Sequence, residues 1–321
     1  MRKINLCTYF DKNYLAKFLT CRNSVLRFEK NVEFYCLCLD TETYNYLNKV
    51  KLNNVHLVLL EELESNFLEL KYAKKNREKV EFYFTLSPFL PLYILKKYKL
   101  DQINYIDSDL YFFDTPQKII DYLGNNSIIV IEHGIKTKRF GKYNVGWLTF
   151  KNDEISKTCL EEWASNCIGW CYDYVEYEKY ADQKYLDTWP EKYKKITILP
   201  SEYSSAPWNI TNKNITINQK KEMLVNKNKL IFFHFHGLNI YQSFFSTGIS
   251  MYNKRLKRNF VEHIYNKYIS ELEAIKKKVN FVETNIRQKV NYEELNMSII
   301  VIFKKIIRMF KQFMFIDFYK K

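Results

Sequence analysis

Residues 101–116, DQINYIDSDLYFFDTP, contain the clearest structural and functional signal in the chain. An apolar run at residues 103–106 leads into Asp107 and Asp109, and a second apolar run follows. Alternate side chains of an extended strand point the same way, so the two carboxylates are predicted to project together. Carboxylates among aromatic residues are costly to bury without a cation between them. The stretch therefore predicts a buried strand ending in a site for a hard divalent cation; the alternative is a polar loop with solvated acids.

The composition is that of a folded, globular protein. The 321 residues allow one large domain or two ordinary ones, and 47% of them are hydrophobic. The seven cysteines contain no paired C-x-x-C, which argues against a zinc ribbon or a disulfide framework and favours free thiols in a reducing cytoplasm. We find neither a signal peptide nor a run of about 18 uncharged apolar residues. We therefore expect a cytoplasmic protein, either soluble or peripheral on the inner face of the cell membrane.

Strands and helices are predicted to alternate along the first part of the chain. Strands are predicted at residues 3–9, 34–39, 55–60, 103–106, 127–132, 196–199 and 230–235. This alternation predicts an α/β fold with a mixed, mostly parallel sheet flanked by helices. Ligands of such sheets bind at the carboxyl ends of strands, so residues 9–13 and 107–109 are predicted to share one crevice. A change to long helical periodicity predicts a boundary near residue 250, giving a catalytic domain at 1–250 and a helical region at 251–321.

Several common functional motifs are absent from the sequence. The seven glycines form neither G-x-G-x-x-G nor G-x₄-G-K, which excludes the backbone phosphate cradles of dinucleotide-binding and P-loop proteins. No G-x-S-x-G, H-E-x-x-H or paired C-x-x-C occurs, so the commonest hydrolase and zinc signatures are also excluded. If the protein binds a diphosphate, a cation must hold it.

Five motifs occur in an order that resembles the metal-dependent GT-A glycosyltransferases, particularly family 8-like enzymes and bacterial surface-polysaccharide transferases. They are T-x-x-D-x-N at Thr8, D-S-D at Asp107, N-x-G at Asn144, A-D-Q at Ala181 and H-x-x-G at His234. The resemblance covers roughly residues 3–240. It implies a GT-A fold and transfer of a sugar from a nucleotide-diphosphate sugar, with UDP-sugars favoured. It further implies Mn²⁺ or Mg²⁺, a glycan or lipid-linked acceptor in surface polysaccharide or lipopolysaccharide synthesis, and a retaining reaction.

The resemblance assigns roles to individual residues. It implies that Asp107, Asp109 and His234 are metal ligands, and that Thr8, Asp11, Asn13 and Asp107 contact the nucleotide. Asn144 and Gly146 are assigned to the sugar, and Asp182 and Gln183 to the reacting carbon and the acceptor. Trp208 and Asn209, in a predicted loop at residues 206–209, are further candidates for sugar or acceptor contacts. Arg77, in the basic segment before the predicted helix at 82–98, is a candidate phosphate or base contact; a solvated arginine is the alternative. The family's lysine after H-x-x-G has no match here, and Thr85 stands near the place of its helix arginine.

Other interpretations of these residues remain open at the sequence level. Asn144 and Gly146 are ordinary turn residues, and Asp182 could be a helix N-cap. A histidine at a strand end, such as His234, is often a buried core residue. If the reaction inverts the sugar's configuration, Asp182 could instead act as general base for the acceptor.

The C-terminal region carries much of the positive charge, since nine of the fourteen net positive charges fall within residues 251–321. Residues 298–321 predict a basic amphipathic helix typical of a membrane interface; packing on the catalytic domain or on a second subunit is the alternative. The oligomeric state is left open. A nucleic-acid-binding protein and a catalytically inactive sugar-binding homologue are competing hypotheses, but the sequence contains no nucleic-acid reader motif and we expect no nucleic-acid partner.

Overall fold

The computed structural model of the protein describes residues 3–135, 138–220, 222–279, 307, 309–312, 314 and 317–321. The strands are β1 (Ile4–Phe10), β2 (Val32–Cys38), β3 (Val55–Leu59), β4 (Gln102–Ile106), β5 (Leu110–Phe112), β6 (Ile128–Glu132), β7 (Tyr143–Lys151), β8 (Ile196–Leu199), β9 (Ile215–Ile217), β10 (Met223–Val225), β11 (Asn228–Lys229), β12 (Phe232–His234), β13 (Asn239–Ile240), β14 (Phe244–Ser246) and β15 (Tyr319–Lys320). The helices are α1 (Leu15–Leu26), α2 (Thr41–Val50), α3 (Leu60–Asn66), α4 (Glu69–Lys75), α5 (Lys79–Leu86), α6 (Phe89–Tyr98), α7 (Gln117–Ile120), α8 (Glu154–Gly169), α9 (Trp189–Lys192), α10 (Arg258–Phe260) and α11 (Asn266–Val279).

A seven-stranded sheet in the order β3-β2-β1-β4-β7-β6-β8 forms the centre of the molecule. Strand β1 pairs in parallel with β2 and β4, β2 with β3, and β6 with β8. Strand β7 runs antiparallel between β4 and β6. The predicted mixed, mostly parallel sheet is therefore confirmed, and the predicted strand at residues 196–199 is β8, an edge strand.

Both faces of the sheet are covered by helices. In β2, Tyr35 and Leu37 belong to the core cluster that packs under α3–α6 and α8, whereas Phe34 and Cys36 belong to the cluster under α1. Successive side chains of a strand point to opposite faces, so a strand buried on both sides is apolar at nearly every position. This explains why the sheet strands appear in the sequence as continuous apolar runs.

The predicted helix at residues 82–98 is two helices, α5 and α6. They meet at Ser87 and Pro88, and Pro88 is the residue that precedes the first turn of α6. Proline has no backbone N–H, so the hydrogen-bond ladder of α5 cannot continue through it. The break lets Ser87 face the centre of the molecule, where its hydroxyl lies 3.2 Å from that of Tyr9.

A short antiparallel pair, β5 and β12, lies beside the main sheet and links residues distant in sequence. Its register places Leu110 opposite His234 and Phe112 opposite Phe232. Strand β12 lies within the predicted strand at residues 230–235, whereas the small sheets β9–β11 and β13–β15 were not predicted. None of the described helices is both long and apolar enough to cross a membrane. The predicted amphipathic helix at residues 298–321 falls largely outside the described residues. Its last part is not helical, because Tyr319–Lys320 form β15, which pairs with β14.

Candidate functional site

Asp107, Asp109 and His234 come together where β4, β5 and β12 meet. Asp107 and Asp109 lie in the connection between β4 and β5, and His234 ends β12. Nε2 of His234 is 2.9 Å from Oδ1 of Asp109 and 3.6 Å from Oδ2 of Asp107. One ligand atom from each residue lies within 4.8 Å of the others. The two carboxylates project together as predicted.

The three side chains are electrostatically coupled. Burial acts to raise the pKa of Asp109, but the adjacent His234 outweighs it and holds the pKa of this carboxyl well below its usual range. Burial would lower the pKa of His234, but Asp109 and Asp107 outweigh it and raise that pKa. Asp107 is different, because burial and the charge of Asp109 together raise its pKa against the opposing effect of His234. The hydroxyl of Tyr105 donates to Asp107 over 3.1 Å.

Gly146 brings the backbone of β7 against this cluster. Its N–H donates to Oδ1 of Asn144 over 2.7 Å, and its carbonyl accepts from the N–H of Asp107. A Cβ at Gly146 would lie 2.6 Å from Oδ1 of Asn144, 3.1 Å from Nδ1 of His234 and 3.5 Å from Oδ2 of Asp107. The interpretation of Asn144 and Gly146 as turn residues is wrong, because both residues lie inside β7 beside an irregularity in its pairing with β6. Their motif instead keeps a side chain out of the cluster.

A divalent cation fits the chemistry of this cluster. Two carboxylates and an imidazole form a ligand set used for Mn²⁺ and related metals. Asp109 and His234 are only 6% and 5% exposed, so Asp109 is not the solvated loop residue of the alternative interpretation. Nδ1 of His234 is buried and has no hydrogen-bond partner among the described residues. The ring is held by the contact of its Nε2 with Asp109, and the Trp208 indole packs edge-on against it with ring centroids 5.1 Å apart.

A cavity of about 670 Å³ opens beside the cluster. Seven of the residues predicted from the sequence line it: Asp107, Asn144, Gly146, Asp182, Gln183, Trp208 and His234. The cavity thus brings together residues that the sequence assigned to the metal, the sugar and the reacting carbon, whereas Asp109 and Asn209 are not among the described residues that line it. The short helix after Asp182 begins at Lys184 with Gln183 as its N-cap, so Asp182 is not an N-cap. Burial raises the pKa of Asp182 to about 7, with a smaller contribution from Asp107 and an opposing hydrogen bond from Ser87.

The amide of Gln183 is held in one orientation. Its Nε2 lies 2.5 Å from the carbonyl oxygen of Phe140 and 3.3 Å from Nδ1 of His133, while Asn144 donates to its Oε1 over 3.3 Å. Burial lowers the pKa of His133 to about 4, so this imidazole is neutral. Its Nδ1 also lies 3.4 Å from the carbonyl oxygen of Gly141, and it accepts from the Gln183 amide in the tautomer that carries the proton on Nε2. Sequence analysis missed His133. Its position could have indicated a role, since His133 directly follows the predicted strand at residues 127–132 and ligands bind at the carboxyl ends of such strands.

Trp208 and Asn209 lie together but have different surroundings. Trp208 lines the cavity, and its Nε1 donates to the carbonyl of His133 over 3.1 Å. The Asn209 amide is fully buried; it donates to the carbonyls of His133 and Ser204 and accepts from the N–H of Ala206. These hydrogen bonds hold the loop at residues 204–209 in place. The sugar contact assigned to Asn209 remains a prediction.

Of the predicted nucleotide contacts, Thr8 lies inside β1, and Asp11 and Asn13 follow its end. Asp11 is buried and accepts from Nζ of Lys79 over 3.0 Å and from the N–H of Asn13 over 3.0 Å. Arg77 lies elsewhere, and its guanidinium donates to the hydroxyl of Thr85 and, over 2.6 Å, to the carbonyl of Ile168. None of these four residues is among the described lining of the cavity, and their nucleotide roles remain predictions.

Two bacterial proteins resemble this chain in sequence. The uncharacterized protein YfnF of Bacillus subtilis (strain 168) is 28% identical over 248 residues, which cover 73% of this chain and 81% of YfnF. The uncharacterized protein YfnD of the same strain is 27% identical over 251 residues, covering 75% of this chain and 79% of YfnD. No protein-family model matches the chain.

Among solved structures, the galactosyltransferase LgtC in complex with donor and acceptor sugar analogues resembles the whole architecture. The TM-score is 0.52 at 14% identity, and the match covers 84% of this chain and 96% of LgtC. The shared feature is the mixed, mostly parallel sheet flanked by helices. The chain therefore has the GT-A fold that its motifs predicted.

Proposed function

We propose that this protein is a metal-dependent glycosyltransferase that moves a sugar from a nucleotide-diphosphate sugar, with UDP-sugars favoured, to a glycan or lipid-linked acceptor. The observation that carries the proposal is the convergence of Asp107, Asp109 and His234 beside a cavity that also contains Asp182 and Gln183. The GT-A fold shared with LgtC supports it. Bacterial surface polysaccharide or lipopolysaccharide synthesis is the process we propose for it.

In this proposal Asp107, Asp109 and His234 hold Mn²⁺ or Mg²⁺, and the imidazole favours Mn²⁺. Bound metal supplies a Lewis acid that stabilises negative charge on a departing nucleoside diphosphate. Metal binding requires His234 to be neutral, so its raised pKa makes metal affinity fall as the pH falls.

Asp182 and Gln183 are the proposed residues at the reacting carbon. The contacts of Gln183 to Phe140, His133 and Asn144 use its amide nitrogen twice and its oxygen once, which leaves Oε1 a further acceptor position. A fixed amide oxygen can stabilise positive charge that develops on a sugar. We propose retention on this basis, and an inverting enzyme would use Asp182 as general base for the acceptor hydroxyl.

Lys254 is the proposed cation for the diphosphate. It is the one lysine or arginine among the described residues that line the cavity. Its Nζ donates to Oδ1 of Asn212 over 3.0 Å, which holds the ammonium beside the Trp208 wall. Lys254 would thereby replace the lysine that is missing after the H-x-x-G motif.

Donor turnover tests the proposal. Purified protein with Mn²⁺ is incubated with UDP-, GDP- and CDP-sugars, and nucleotide release is measured with and without EDTA. We expect release from one donor, lost with EDTA and reduced at least about 100-fold in Asp109→Ala, since metal contributes several kcal/mol. Lys254→Met should mainly raise the donor KM, and Asp121→Asn, at an exposed carboxyl, is the matched control.

The outcomes separate the competing functions. Binding of Mn²⁺ and a nucleotide without turnover of any donor would identify a catalytically inactive homologue. If no donor is turned over and neither Mn²⁺ nor any free nucleotide shifts the melting temperature, the proposal is wrong.

We also propose that the C-terminal segment contacts a membrane surface. Met309, Phe310 and Met314 are 57%, 66% and 54% exposed, and exposed apolar side chains beside basic residues suit an anionic lipid interface. Co-sedimentation with phosphatidylglycerol vesicles should be lost in Phe310→Ser. Undiminished binding by that variant, or dimerisation that buries these residues instead, would contradict the proposal.

A further inference from the structure

The C-terminal end of the chain returns to the body of the protein near the candidate site. Strand β15 pairs antiparallel with β14, and the rings of Tyr319 and Phe245 stack with centroids 5.6 Å apart. Asp317, two residues before Tyr319, is completely buried. A buried carboxylate is costly unless it is paired or hydrogen-bonded, so its partners are informative.

Asp317 occupies a nest of donors formed by one loop. Oδ1 accepts from the N–H and the hydroxyl of Thr247 over 2.9 and 2.6 Å. Oδ2 accepts from the N–H groups of Gly248 and Ser250 over 3.1 and 3.4 Å, and from the hydroxyls of Ser246 and Ser250, both over 3.0 Å. Gly248 has φ +81°, the left-handed conformation that lets neighbouring N–H groups converge on an anion. The loop is therefore shaped around this carboxylate.

The same loop builds part of the cavity. It continues directly into Met251 and Tyr252, which line the cavity. A Cβ at Gly248 would lie 2.8 Å from the carbonyl of Gly237, so the loop packs tightly on the turn that follows His234. The ring of Tyr252 also contacts the indole of the cavity residue Trp208, with centroids 6.3 Å apart. Displacement of the loop would therefore move one wall of the cavity.

We infer that Asp317 is a positioning residue for the cavity: it holds residues 247–250 in place and thereby fixes the wall formed by Met251 and Tyr252. Gln312 reinforces the arrangement, since its amide donates to the hydroxyl of Ser246 over 2.9 Å. The functional part of this inference rests on the proposed glycosyltransferase activity. The C-terminal end is then a component of the site as well as a candidate membrane contact.

Full-length Asp317→Asn tests the inference. The amide keeps the shape of the carboxylate but directs N–H groups at N–H donors, so the loop should lose its anchor. We expect faster hydrogen exchange in peptides covering residues 244–254 and unchanged exchange in β1 and α1. The donor or acceptor KM should rise about tenfold because one wall of the cavity is displaced, with kcat changed less than about threefold because the residues at the reacting carbon stay in place. Mn²⁺ affinity, a readout of the metal ligands, should not change.

Glu273→Gln is the matched control, because it removes the surface partner of Lys321 in the same C-terminal segment. It should leave loop exchange and KM unchanged. Thr247→Val, which removes one hydroxyl donor to Asp317, is the milder variant if Asp317→Asn does not fold. Unchanged loop exchange in both Asp317→Asn and Thr247→Val, or a loosened loop with unchanged KM values, would overturn the inference. If the wild-type protein neither turns over a donor nor binds Mn²⁺ with UDP, the proposed function fails, while the exchange result still decides whether Asp317 holds the loop.

Discussion

Asp182 is the cavity residue whose charge is set to change near neutral pH. Burial raises its pKa to about 7 from an ordinary value of 3.8, with Asp107 adding to the shift. In the folded protein the carboxyl therefore keeps its proton up to about pH 7, whereas in the unfolded chain it ionises near pH 4. A group that binds its proton more tightly when folded stabilises the protein at low pH, and this contribution is lost as the pH rises between these two values.

We predict that Asp182→Asn flattens the pH dependence of stability. The wild-type free energy of unfolding should fall between pH 4 and pH 7 by up to about 4 kcal/mol more than that of the variant. At pH 8 the variant should accordingly be the more stable protein. Denaturant unfolding in EDTA at several pH values measures this, and Asp121→Asn is the exposed control. Parallel curves for wild type and Asp182→Asn would show that this carboxyl does not titrate as described.

The sequence predicted single residues best where chemistry leaves few alternatives. Asp107 and Asp109 were recognisable because two acids among aromatic residues need a partner. His234 was recognisable from the H-x-x-G motif of the family resemblance, since its position at a strand end alone also fits a buried core histidine. Asp317 and Ser87 were not recognisable, because a lone acid in a basic tail and a serine before proline carry no local signal. Their roles depend on loops and helices that only the folded chain brings near them.

At the scale of elements, the site depends on the pairing of β5 with β12. This antiparallel pair brings His234 next to Asp109 across a long separation in sequence. The parallel strands were predictable from apolar runs, since both faces are buried. The antiparallel direction of β7 could not be predicted, and neither could the two-residue strands. The direction of a strand and the strands that it pairs with are decided by long-range packing.

Arg77 links two helices, and its contacts predict a structural effect. Its guanidinium joins the Thr85 hydroxyl on α5 to the Ile168 carbonyl near the end of α8. We expect Arg77→Ala to lower the free energy of unfolding by about 1–3 kcal/mol, because the buried Thr85 hydroxyl and the partly buried Ile168 carbonyl lose their donor. The donor KM should change less than about twofold. Urea denaturation and donor kinetics measure both quantities.

A direct nucleotide contact by Arg77 would give the opposite result, a large increase in donor KM with little loss of stability. Arg258→Ala is the control, since this arginine is exposed and pairs with Glu262 one helical turn away. The experiment therefore decides between the nucleotide role predicted from the sequence and the helix contact seen in the structure.

At the scale of the whole molecule, residues after 250 share a core with the residues before it. Helix α11 packs along α1, and the ring of Tyr268 stacks on that of Phe235 with centroids 3.8 Å apart. The Tyr111 hydroxyl, on β5, donates to Glu271 over 2.6 Å. Phe235 follows the candidate metal ligand His234 directly. Helix α11 thus packs directly behind His234, although the sequence predicted that residues 251–321 form a helical region separate from the catalytic domain.

We predict that a chain ending at residue 250 will not fold stably. It lacks Phe260, Tyr265, Tyr268 and Leu272, all buried, and it exposes the aromatic rings of Phe233 and Phe235. Circular dichroism and thermal melting of the shortened chain test this, and full-length Tyr268→Ala, expected to cost about 3–5 kcal/mol, tests the same interface if the shortened chain is insoluble. Melting of residues 1–250 at the full-length temperature would instead establish an independent domain. Loss of the fold would mean that the residues after 250 belong to the same folding unit as the candidate site.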